Sequence, residues 1–195
     1  CHSARFCHLD PMKISQASIL ISPGYGAVQD DHWCQRWARQ MSTAQTIQHD
    51  DMTNPRREDW VTDIVKAVEA AERPVVLVGH SLGCIAIAHA APVLPKGKVA
   101  GAFLVAPSDW DRKDIVPGFD DHDFAPIPRE RLPFPVQLVA SRNDPYCDFA
   151  KSLDLTADWG AKLIDAGDAG HINVESGQGP WPEGLTAFAL FMKTL

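Results

Sequence analysis

None of the five cysteines forms a CxxC pair and their number is odd: they stand apart at Cys1, Cys7, Cys34, Cys84 and Cys147. Such spacing gives no disulfide framework and fits a reducing compartment, so a cytoplasmic location is expected. Cys1-His2 and Cys7-His8 have no second well-spaced pair to complete a zinc-type site, and no metal is expected. Basic side chains are also in short supply: 18 Lys and Arg face 25 Asp and Glu, a formal charge of −7. That balance excludes the basic face a nucleic-acid partner requires and the polybasic segment of a membrane anchor. No GxxxxGK run is present, which disfavours a phosphate-binding enzyme. The N-terminus lacks the basic region and continuous apolar stretch of a signal peptide. One stretch, 75–94, is apolar and long enough to span a bilayer, but it contains His80, Ser81, His89 and Pro92. A buried strand turning into a buried helix accounts for it with less cost.

What is present is an ordinary globular composition, 45% hydrophobic and 22% charged, in a chain of 195 residues without a visible break. Residues 14–195 are expected to form one domain. Residues 1–13 show no period and are expected to be an extension, flexible or added to the natural chain, with Met12 a candidate start. Short apolar runs then alternate with segments of helical period. The expected fold class is therefore α/β, a mostly parallel central sheet of about six strands with helices on both faces.

The expected strands are 17–22, 44–49, 74–79, 98–106, 136–140 and 161–165. The expected helices are 32–41, 55–71, 81–91, 148–159 and 185–195. Asn54 reads as an N-cap with Pro55 at the first helical position. The run Pro74 to Gly79 has no alternation, as befits a central strand buried on both faces. Residues 107–135 are irregular and rich in Pro, Asp and aromatics. They read either as a cap over a site or as a surface excursion.

The pentapeptide Gly79-His80-Ser81-Leu82-Gly83 matches GxSxG, a pattern that chance also produces. Its setting is more informative, since it leaves the most apolar strand and enters a small-residue helix, as a nucleophile elbow must. The glycines admit a sharp turn that exposes Ser81, and the helix N-terminus aims N–H groups at a developing oxyanion. A serine hydroxyl needs a base. Of the eight histidines, only His171 follows the last strand; His80 lies in the elbow, His89 on a helix, and His32 and His122 border a pocket at most. Asp144, just beyond the strand 136–140, is the expected carboxylate, with Asp109, Asp148, Asp165 and Asp168 as rivals. The oxyanion donors are expected to be the amides of Leu82 and of Tyr25, with Gly24 next, in the turn Pro23-Gly24-Tyr25-Gly26.

The elbow VGHSLG, the segment SRNDPYC and the stretch GDAGHINVESGQGPWPEG resemble the YdeN and retinoblastoma-binding protein nine family of small serine hydrolases. The resemblance runs over nearly the whole chain from about residue 14, and the tail after His171 is its most specific part. It implies a compact α/β-hydrolase core lacking the first strands of larger members, and esterase-like activity on carboxylic esters. The family's triad falls on Ser81, Asp144 and His171. The LxCxE motif for a retinoblastoma-type pocket is absent. The expectation is thus a cofactor-independent serine hydrolase acting on a small ester. An amide or short-peptide hydrolase with the same residues, or a non-catalytic binding module on this scaffold, are the alternatives.

Overall fold

The computed structural model of the protein describes residues 12–26, 28–119 and 121–195. The cysteine–histidine pairs at 1–2 and 7–8, and most of the expected 1–13 extension, lie outside the described residues. Six parallel strands form one sheet: β1 (Ser18–Ser22), β2 (Ala44–Thr46), β3 (Val75–His80), β4 (Val99–Val105), β5 (Val136–Ala140) and β6 (Lys162–Asp165). Their spatial order is β2-β1-β3-β4-β5-β6. Among the described residues there are five α-helices, α1 (Trp33–Gln40), α2 (Arg57–Ala70), α3 (Leu82–Ala90), α4 (Phe149–Trp159) and α5 (Pro182–Met192); the first four lie in connections between strands, no α-helix joins β4 to β5, and α5 follows β6.

The strand pleat sorts the apolar side chains between two layers. Leu20, Leu77, Ala102, Leu104 and Leu138 face the side covered by α2, α3 and α4, with Trp60, Ile64, Ile85, Leu155 and Trp159 packed on them. Their neighbours in sequence, Ile19, Ile21, Val78, Phe103 and Val139, face the other side, where α1 and α5 contribute Trp33, Trp37, Phe188 and Phe191. This is the period-2 alternation of a strand whose two faces are both buried, so β3 reads as an unbroken apolar run and all six of its residues are buried. At about 1.5–3 kcal/mol for each large apolar side chain removed from water, these two layers hold the fold together. α3 is buried nearly all round, which explains its small-residue composition and lack of a polar face.

Several boundaries depart from the sequence pattern, each for a local reason. α2 begins at Arg57 rather than at Pro55, and the N-cap is Arg56, which makes no side-chain cap bond. Asp123, far along the chain, accepts the Arg57 N–H instead, at 2.9 Å. β2 stops at Thr46, and His49 belongs to the loop beyond it. α5 opens at Pro182, three residues ahead of the expected Leu185, because Trp181 takes a left-handed φ of 43° and Pro182 sits at the first helical position. Among the described residues no helix is long and apolar enough to cross a membrane. The stretch 75–94 is strand β3 turning into α3 and a short 3-10 turn.

From β1 the chain first moves outward to β2, then returns to the other side of β1 to lay down β3. The connections after β1 and β3 therefore diverge and leave a crevice at the C-terminal ends of these strands, the usual place for a ligand in an open parallel sheet.

Candidate active site

Ser81 stands at that crevice, immediately after β3 and before α3, with φ 54° and ψ −122°. An L-residue holds such a conformation only under tertiary constraint, at a cost of about 1–3 kcal/mol. The constraint is visible on both sides of it. Gly83 has no room for a side chain, since a Cβ there would lie 2.1 Å from the Ser22 carbonyl oxygen. The Ser81 N–H donates to Val105 O at 3.1 Å, tying the elbow to the neighbouring strand. The side chain is thereby aimed at a cleft of about 600 Å³, within the range of small-molecule sites.

His171 reaches Ser81 from the loop after β6. Its Nε2 lies 2.8 Å from Ser81 Oγ, and its Nδ1 lies 2.9 and 3.0 Å from the two carboxylate oxygens of Asp144. A carboxylate only accepts, so Nδ1 carries the proton and Nε2 is left to accept the Ser81 hydroxyl. Asp144 is nearly inaccessible, with its side chain 3% exposed. It also accepts the Tyr146 N–H at 2.9 Å, which fixes the carboxylate's orientation.

The loops carrying Asp144 and His171 are latched together. Ser141 Oγ accepts the Ala169 N–H at 2.9 Å, and Asn143 Oδ1 accepts the Gly170 N–H at 2.7 Å. From beneath, His80 Nε2 donates to the His171 carbonyl at 3.0 Å and Trp33 Nε1 donates to that of Ile172 at 2.9 Å. Burial, reinforced by the neighbouring His171, pushes the His80 imidazole well below the ordinary histidine range. His80 is thus a neutral donor in the support of His171.

Of the sequence candidates, the structure brings Ser81, His171 and Asp144 into one run of hydrogen bonds. The rival carboxylates are engaged elsewhere or stand apart. Asp165 binds Arg142, Asp109 pairs with Lys151, and Asp148 is the N-cap residue of α4. Leu82 is the first residue of α3, where a backbone N–H has no partner within the helix. Gly24 lies against Ser81: a Cβ built on it would be 2.9 Å from Ser81 Cβ. Tyr25 lines the cleft, and its hydroxyl donates to the Thr53 carbonyl at 2.9 Å. His32 also lines the cleft, whereas His122 packs edge-on against Trp110.

One buried hydroxyl at the site is marked by no motif in the sequence. Ser108 Oγ lies 3.3 Å from Ser81 Oγ and accepts the Trp110 indole N–H at 2.8 Å. Its place three residues beyond β4, at the same edge of the sheet as the other functional groups, is the signal that points to it. The segment after Ser108 adds Trp110, Ile115, Val116 and Pro117 to the cleft wall. Gln29, Asn173 and Glu175 also line the cleft, with the Gln29 amide donating to the Glu175 carboxylate at 2.9 Å. Among the described residues no group of three or more His, Cys, Asp and Glu is arranged to hold a metal ion.

Known proteins share this architecture. The family model described as serine hydrolase matches residues 19–190. The YdeN protein of Bacillus subtilis (strain 168) is 25% identical over 167 residues, which cover 82% of this chain and 87% of the relative. The solved structure of the B. subtilis ydeN gene product superposes with a TM-score of 0.68, over 89% of this chain and 98% of that one. A solved YdeN-like protein from Pectobacterium atrosepticum is 33% identical, with a TM-score of 0.81 over 93% of this chain and 94% of that one. Mouse alpha/beta hydrolase domain-containing protein 10 shares the fold, with a TM-score of 0.65 at 16% identity, over 93% of this chain and 89% of that one.

Proposed function

The chain belongs to the serine hydrolase family, as a YdeN-like small α/β hydrolase, and from that premise we propose that it hydrolyses carboxylic esters through an acyl-enzyme on Ser81. The observation that carries this reading is the unbroken run from Asp144 through His171 to Ser81, ending in the cleft.

The chemistry is set by the positions of the protons. As Ser81 Oγ bonds to the substrate carbonyl carbon, its proton passes to His171 Nε2, and the Asp144 carboxylate stabilises the imidazolium so formed. Negative charge gathers on the carbonyl oxygen, where the amides of Leu82 and of the Gly24-Tyr25 turn are the proposed donors. The bond to the alkoxy oxygen then breaks, and the alcohol leaves with the proton held by His171. Water attacks the acyl carbon, its proton moves through His171 to Ser81, and the carboxylic acid departs.

The lining of the cleft supports an uncharged substrate. No Lys or Arg is among its described residues, so an anionic group would meet no cation there. Tyr25, Trp110, Ile115 and Val116 offer an apolar wall for an alkyl or aryl portion. Three free, buried thiols at Cys34, Cys84 and Cys147 support a reducing compartment, the cytoplasm.

Fluorophosphonate labelling and p-nitrophenyl ester hydrolysis by the parent and Ser81→Ala proteins test the reading. Labelling and turnover are expected in the parent and neither in the variant. Equal labelling of both proteins would remove Ser81 as the nucleophile. Aminoacyl amides turned over faster than esters would move the activity to amide bonds.

A further inference from the structure

A second line of serine, histidine and carboxylate lies behind the first and never meets the cleft. Ser22 Oγ is 3.1 Å from His49 Nε2, and His49 Nδ1 is 3.2 Å from Asp63 Oδ2. The carboxylate again assigns the proton to Nδ1, so Nε2 accepts the Ser22 hydroxyl. Ser22 is wholly buried, and so is the His49 side chain, which excludes attack on a substrate by this serine. The His49 ring lies flat on Trp60 of α2, with centroids 3.9 Å apart and planes 2° from parallel.

The arrangement matters because of where Ser22 stands in the chain. It is the last residue of β1, and Pro23, Gly24 and Tyr25 come next, the turn that passes beside Ser81. A glycine-bearing turn is intrinsically soft, yet an oxyanion donor must be held to a few tenths of an ångström. Three attachments hold this one, and all lead to the same segment, 49–53. Before the turn, Ser22 binds His49. Within it, the Tyr25 hydroxyl donates to Thr53 O at 2.9 Å, and at its end the Gly26 N–H donates to Met52 O at 2.7 Å.

That segment is in turn fastened to itself and to α2. The Asp51 carboxylate accepts the N–H groups of Thr53 and Asn54, both at 2.8 Å, and the Thr53 hydroxyl at 2.9 Å. Trp60 Nε1 donates to Asp51 O at 3.1 Å. On its other side the turn is backed by α3, where Gly83 packs against the Ser22 and Pro23 carbonyls.

We propose that Ser22, His49 and Asp63 are positioning residues of the oxyanion turn: Asp63 orients His49, His49 fixes the end of β1, and the amides beyond it are thereby held against Ser81. The inference rests on the hydrolase reading of Ser81. It assigns these residues no contact with substrate, and its consequence is confined to the stage at which negative charge develops.

Two measurements separate positioning from simple core bonding: steady-state hydrolysis of p-nitrophenyl butyrate, and inhibition by phenylboronic acid. In the inhibited complex Ser81 Oγ adds to boron, its proton passes to His171, no group leaves, and a boronate oxygen occupies the oxyanion position. Ser22→Ala is expected to lower kcat roughly tenfold with KM little changed, and to weaken phenylboronic acid by a similar factor. Asp63→Ala is expected to do the same, and Asp63→Asn, which keeps an acceptor for His49 Nδ1, to restore both to within about twofold. All values are taken on protein shown to be folded by its thermal transition. A lower Tm with kcat and boronate affinity at parent level would overturn the inference, as would equal defects in Asp63→Ala and Asp63→Asn. Turnover that persists in Ser81→Ala overturns the hydrolase reading and this one with it. Turnover lost in Ser81→Ala but intact in Ser22→Ala overturns this inference alone.

Discussion

Gly24 and Ser81 pack so closely that a methyl group on the glycine would lie 2.9 Å from the serine Cβ and 3.4 Å from its Oγ. The glycine thus lets the backbone after β1 approach the nucleophile directly, which is what an oxyanion donor needs. Gly24→Ala should push the turn away by a few tenths of an ångström while leaving the core intact. The expected result is a fall in kcat of roughly tenfold or more with a Tm close to that of the parent. Gly83→Ala meets a different obstacle, because its Cβ would collide with the Ser22 and Pro23 carbonyls at 2.1 and 2.6 Å, and backbone cannot swing aside. That variant should lose about 3 kcal/mol of stability. Steady-state kinetics and thermal melts on the two proteins would show the separation; a parent-like kcat in Gly24→Ala would deny the turn its role.

The parts of this site that the sequence makes legible are those written into contiguous residues. The apolar run of β3, the glycines around Ser81 and the small residues of α3 form one continuous pattern, because a strand buried on both faces must turn at once into a tightly packed helix. Asp144 and His171 are legible for a related reason: a parallel sheet gathers the residues after its strands at one edge. What is not legible depends on partners distant in the chain. The start of α2 is set by Asp123, 66 residues beyond Arg57, so the local Asn54-Pro55 signal misplaces it. His49 resembles the end of a strand until folding places it between Ser22 and Asp63. The left-handed Trp181, which starts α5 early, has no local signature because tertiary packing against Trp33 and Trp37 holds it.

Ser108 gives a prediction in which stability and turnover part company. Its Oγ is the acceptor for the indole N–H of Trp110, a side chain only 1% exposed. Ser108→Ala would leave that donor buried without a partner, at about 2 kcal/mol, or roughly 6 °C in Tm. The Ser81 hydroxyl would lose one neighbour at 3.3 Å but keep His171 at 2.8 Å, so kcat should fall by only about threefold. A thermal melt and a kinetic assay decide the matter. An unchanged Tm combined with a hundredfold loss of kcat would instead place Ser108 in the chemistry.

His32 ties the cleft to the pH dependence of folding. It caps α1, its Nδ1 accepting the Cys34 N–H at 3.2 Å, and it is 8% exposed. Burial, reinforced by the neighbouring His171, lowers its pKa from 6.5 to about 4. The unfolded chain therefore takes up this proton near pH 6.5 and the folded chain only near pH 4, so between these values the unfolded state binds more protons. Stability is therefore undiminished above about pH 6.5 and falls progressively down to about pH 4, because the unfolded chain binds a proton that the buried His32 ring, whose Nδ1 is held as the cap acceptor, takes up only near 4. A gap of this size corresponds to about 3 kcal/mol at most. Asparagine at this position keeps a cap acceptor and does not titrate. His32→Asn should match the parent's Tm at pH 7.5 and decline less steeply between pH 6.5 and 4. Some decline should remain, since burial lowers the pKa of His80 and of His49 as well. Melting curves collected across that window for both proteins provide the check, and parallel declines would remove His32 as a source of the acid sensitivity.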